Sequence, residues 1–128
     1  MSEFLNDLVV RIVDDAGPRP IMELTQGLHY WSDTIGAVIV PAGFVFDGAS
    51  IPQAAMSMTG WPGVRAACVH DWMLEQPAYT RATADDVFRE ALAVCAVPEP
   101  VAQVIWAAVA LRTARLDAYP PDEERVTA

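Results

Sequence analysis

The sequence contains no lysine: its eight basic residues are all arginines, at 11, 19, 65, 81, 89, 112, 115 and 125, set against 17 acids for a net charge of −9. An acidic chain whose few cations are scattered lacks the basic stripe that neutralises phosphates, so nucleic acid is not an expected partner and an anionic membrane surface is disfavoured. Cysteine is also scarce. Cys68 and Cys95 each sit inside an apolar helical pattern, which speaks against a disulfide framework or a cysteine zinc site and suits small buried hydrophobes. Long hydrophobic runs are missing too, since the longest clean one, residues 104–111, falls far short of the ~20 residues of a membrane-spanning helix. The opening residues, MSEFLNDLVVRIVDD, carry acids where a secretory leader carries positive charge, so no export signal is expected.

What is present is enough apolar material for one core: 53% of the 128 residues are hydrophobic, which suits a single domain better than two. Residues 8–13 are β-branched and apolar, and the Asp14-Asp15-Ala16-Gly17-Pro18 turn signal ends that strand. A second extended stretch covers residues 21–31, and Ser32 to Gly36 connects it to a third over residues 37–46, giving a small antiparallel meander of about three strands. Beyond Pro52 the period turns helical. Three helices are expected over residues 62–75, 81–96 and 99–116, with Pro77 and Pro98 in the gaps. The fold class is therefore α+β, one domain over residues 1–117, with an acidic, proline-containing tail over residues 118–128.

The chemistry-bearing residues gather on the first two helices and the loop before them. The first helix is apolar on every side, yet His70 and Asp71 stand in its middle, and burying either unpaired costs a few kcal/mol. The second helix offers partners. Asp85 borders its apolar stripe, Arg81 lies one turn earlier and is placed to pair with it, and Asp86, Arg89 and Glu90 share the opposite, solvated face. A histidine held by a carboxylate is the usual arrangement for activating water or a hydroxyl, and Asp71, pointing elsewhere, is of the type that ligates a hard cation such as calcium. A buried His-Asp-Arg network that merely ties the helices together satisfies the same pattern without chemistry. In the loop VPAGFVFDGASIP, residues 40–52, Asp47 is a further site carboxylate or a turn former, and Ser50 caps the same exit. His29 reads as a strand-surface residue. Cys68 lies roughly 160° around the helix from His70, so the two do not form a nucleophilic pair. The third helix is apolar nearly all round, with Trp106 at its centre; core packing explains this first, and a docking surface second.

Three ordered stretches, VPAGFVFDGASIP, Ala67-Cys68-Val69-His70-Asp71 and TRATADDVF (residues 80–88), resemble DUF1353, a small family of unknown function common in phages and prophages. That resemblance implies a phage- or prophage-encoded accessory protein, with other phage structural proteins as partners, located in the virion (the tail above all) or in the host cytoplasm. An HD pair on one helix followed by ADxxF on the next is also similar, more distantly, to the secreted and parvoviral phospholipases A2. This second resemblance implies a small esterase in which His70 is the general base, Asp85 orients it and Asp71 binds calcium. Leu74 stands where those enzymes carry tyrosine, and their glycine-rich calcium loop and disulfides have no counterpart here.

Overall fold

The computed structural model describes residues 1–48 and 62–118. Six strands, β1 (Glu3–Phe4), β2 (Val10–Asp14), β3 (Ile21–Leu24), β4 (Leu28–Ser32), β5 (Gly36–Val40) and β6 (Val45–Phe46), precede three helices, α1 (Pro62–Leu74), α2 (Arg81–Val94) and α3 (Glu99–Ala118). The fold is α+β, as expected, and the three helices fall within a few residues of their expected bounds.

The strands depart from a three-membered meander. They form two antiparallel three-stranded sheets, ordered β1-β4-β5 and β2-β3-β6. Each long extended stretch of the sequence is broken once. The second breaks at Thr25–Gly27, where Asn6 Nδ2 donates to the Gly27 carbonyl and Gln26 Nε2 to that of Asp7. The third breaks after Pro41, which has no N–H for the ladder, and at Gly43, whose φ of +90° is one that residues with a Cβ rarely adopt. β1, only two residues long, pairs Phe4 with Tyr30 and Glu3 with Trp31; nothing so short has a readable period.

Alternation along β4 and β5 sets the inner face. Leu28, Tyr30, Val38 and Val40 point into the core while His29, Trp31 and Ile39 face out, and the pairs Leu28–Val40 and Tyr30–Val38 lie directly opposite one another. Met22, Leu24 and Phe46 bring the second sheet to the same core, which the helices complete through Val64, Val69 and Met73 of α1, Val87, Phe88 and Leu92 of α2, and Ala102, Ile105 and Val109 of α3. Cys68 and Cys95 are free and buried, the small hydrophobes expected. Glu90 differs from expectation. Instead of standing on a solvated face, it accepts from the buried Tyr30 hydroxyl at 2.6 Å and from Thr34 at 3.0 Å, tying α2 to the β4–β5 hairpin.

Candidate functional site

Local rules place the first two members of the site. Thr80 caps α2, its hydroxyl accepting from the Thr83 backbone N–H at 3.1 Å and satisfying one of the first-turn donors. With that start fixed, Asp85 and Phe88, three residues apart on one helix face, both turn inward toward α1. His70 lies between them: its Nε2 is 2.7 Å from Asp85 Oδ1, and its ring stacks on Phe88 with centroids 4.6 Å apart. His70 is 2% exposed and Asp85 3%.

A third residue completes the cluster. Thr113, on α3, donates its hydroxyl hydrogen bond to Asp85 Oδ2, so both oxygens of the carboxylate are engaged. Because a carboxylate accepts, Nε2 carries the imidazole proton. The other ring nitrogen, Nδ1, is 4.0 Å from Asp71 Oδ1.

Asp71 is the link to open space. Its carboxylate is partly exposed and lines a cleft of about 410 Å³ together with Asp47, Glu75 and Arg112 and the apolar Ile21, Phe44, Val45, Phe46 and Leu74. Phe44 and Phe46 stack with centroids 5.9 Å apart, and Trp72 packs edge-on against Phe44 at 5.5 Å, so one wall is rigid and aromatic. The cleft therefore runs between β3, β6 and the end of α1, with the His70–Asp85 pair behind Asp71.

Of the residues singled out from sequence, His70, Asp71 and Asp85 come together, and Asp47 joins them across the cleft. Ser50 lies outside the described residues. Arg81 does not pair with Asp85: its Nη1 is 3.3 Å from Asp117 of α3, and it lines a different groove with Tyr79 and Thr80. The expected pairing gave way because His70 and Thr113 hold the Asp85 carboxylate inward, while the first-turn position of Arg81 leads to solvent. Thr113 and Arg112 were missed. Both come from α3, some thirty residues away in sequence, and nothing local announces such contacts.

A calcium ion at Asp71, which the phospholipase resemblance implies, finds little support in the donor set. Among the described residues no three ligating side chains converge as a metal site, whereas calcium takes six to eight oxygens. No chemical step is therefore assigned to a metal. Among the described residues no helix is long and apolar enough to cross a membrane.

Residues 22–109 match the family model described as "Protein of unknown function (DUF1353)". The chain belongs to the DUF1353 family. The matched stretch holds Asp47, His70, Asp71 and Asp85 and stops just short of Arg112 and Thr113. The DUF1353 chain is also 32% identical over 100 residues to "Uncharacterized protein y4jT" of Sinorhizobium fredii (strain NBRC 101917 / NGR234), an alignment covering 75% of this chain. It spans 30% of that relative's length. No solved structure matches this DUF1353 member.

Proposed function

We propose that this DUF1353 protein is a small esterase-type hydrolase in which His70 is the general base and Asp85 its orienting partner. The observation that carries the reading is the 2.7 Å bond between His70 Nε2 and Asp85, with Nδ1 turned toward Asp71 at the cleft. In that arrangement a water or hydroxyl attacking an ester carbonyl gives its proton to the Asp71 carboxylate that lines the cleft, which passes it to His70 Nδ1. When the ester C–O bond breaks, the same route returns a proton to the leaving alcohol. Asp85 stabilises the imidazolium that forms, and Thr113 holds Asp85. His70 and Asp85 keep the roles implied by the phospholipase resemblance, whereas Asp71 carries a proton in place of the calcium that resemblance assigns to it.

The test is hydrolysis of a panel of chromogenic esters of graded chain length by the wild-type chain, His70→Asn and Asp71→Asn. Loss of about a hundredfold or more in His70→Asn, with its circular dichroism unchanged, is the expected result. Turnover unchanged in a folded His70→Asn protein, or no turnover of any ester by the wild type, overturns the reading and leaves the cluster a tie between helices.

The setting we propose is the one the family resemblance implies: an accessory protein of a phage or prophage, acting in the virion or in the infected cell, with the tail as the first place to look. Mass spectrometry of purified particles from an induced lysogen tests it. Absence of the chain from particles, together with its presence in the cell fraction, restricts the role to the host cytoplasm.

A further inference from the structure

α3 is apolar on two opposite sides, and only one of them is used by the core. Ala102, Ile105 and Val109 face inward and are buried. At about 100° per residue, a second stripe made of Pro100, Val104, Ala107, Ala108, Leu111 and Arg115 runs along the far side, and every one of these residues is exposed. Val104 is 66% exposed and Leu111 56%. Large apolar side chains standing in line on a helix face mark an interaction surface more often than scattered ones do.

Two properties of the stripe select its occupant. The first is symmetry: reading from either end gives a branched aliphatic residue, then two alanines, then a branched aliphatic residue. An antiparallel copy of α3, related by a twofold axis between Ala107 and Ala108, sets each Val104 against the partner's Leu111 and brings the alanines together at the crossing, where small side chains let the backbones approach. The second is charge. In a chain of net charge −9 this stripe carries no acid, and its one charged residue, Arg115, lies in the last turn of a helix whose first turn carries Glu99. Glu99 is held by Arg89 of its own chain at 2.7 Å, so it stays out of the contact. Antiparallel docking sets each Arg115 against Pro100 of the other copy, with the two arginines at opposite ends of the contact, and it opposes the two helix dipoles. A surface whose pattern matches itself, and on which no like charges are opposed, fits the isologous contact of a twofold dimer.

We infer that the outer face of α3 is a homodimer interface, occupied by the same face of a second copy. Being centred on one helix pair, the contact lies at the small end of stable interfaces, so the dimer forms reversibly with concentration. The inference is independent of the hydrolase reading, since neither His70 nor Asp85 belongs to the stripe.

The test is sedimentation velocity of the full chain over rising concentration. The mass is expected to move from 13.9 kDa toward twice that value, and Leu111→Asp is expected to hold it at the monomer value with unchanged circular dichroism. Ala107→Cys provides a readout that does not depend on weakening the dimer: oxidation is expected to link two copies through position 107, whereas the same substitution at Ala118 links them poorly. A wild-type chain that stays monomeric at every concentration overturns the inference. So does a dimer that Leu111→Asp leaves intact, or cross-linking no better at 107 than at 118.

Discussion

At the scale of single residues, the informative group is Thr113. Asp85 is buried, and its two oxygens are shared between His70 and the Thr113 hydroxyl. Replacing threonine by valine keeps the shape and removes the donor, leaving one carboxylate oxygen short of a partner in a dry place. Hydrogen bonds to charged groups contribute about 1.5–3 kcal/mol, so Thr113→Val is expected to lower unfolding stability by about 2 kcal/mol. Thr113→Ser, which keeps the hydroxyl, should recover most of it. Urea titrations of the three proteins measure this directly, and equal midpoints for the valine and wild-type chains would mean that water replaces the hydroxyl. The His70–Asp85 pair was legible in the sequence because two polar residues interrupted apolar stripes on adjacent helices, and burial demands a partner for each. Its third member was not, because Thr113 sits on a helix whose apolar pattern gives no hint of which face meets Asp85. Arg81 misled for the complementary reason: i, i+4 spacing allows a pair, but competition from His70 and Thr113 decides where the carboxylate turns.

At the scale of elements, the helices were readable and the strands only in outline. Proline gaps and a threonine cap set helix ends through local chemistry, whereas the two breaks that divide the strands into two sheets depend on which backbone finds a ladder partner. The end of α2 shows how closely local rules hold. Beyond the Cys95 cap, Ala96 N–H bonds to the Ala93 carbonyl and Val97 N–H to that of Leu92, both at 3.0 Å, while Leu92 and Val97 are both buried. That is the Schellman arrangement, which ordinarily places glycine at the left-handed position. Here the position is Ala96, with φ of 61°. An alanine in that conformation is strained by roughly 1–2 kcal/mol, and glycine relieves the strain while gaining freedom in the unfolded chain. Ala96→Gly is accordingly expected to stabilise the protein by about 0.5–1 kcal/mol, read as a higher urea midpoint at constant slope. A lower midpoint would mean that the alanine methyl contributes packing that outweighs its strain.

At the scale of the whole molecule, three buried acids of high pKa set the alkaline limit of the fold. Burial pushes the Tyr30 phenol well above its ordinary 10, with the hydrogen bond to Glu90 adding to the effect, and burial likewise raises the thiols of Cys68 and Cys95 above their ordinary 9. In each case folding favours the neutral, protonated form. Above the unfolded-state values the unfolded chain has released protons that the native chain still holds, so stability falls as pH rises. It is whole at neutral pH, begins to be lost near the unfolded thiol value of 9, and falls more steeply past the phenol's 10. Thermal unfolding under reducing conditions, followed from about pH 7 to about pH 11, should show this two-stage decline. Tyr30→Phe separates the contributions. It removes the hydroxyl that Glu90 accepts, so its neutral-pH stability should be lower, but the tyrosine part of the decline should vanish and its curve should run flatter than wild type beyond about pH 10. Parallel curves would assign the alkaline loss to the two thiols, whose burial is the same in both proteins.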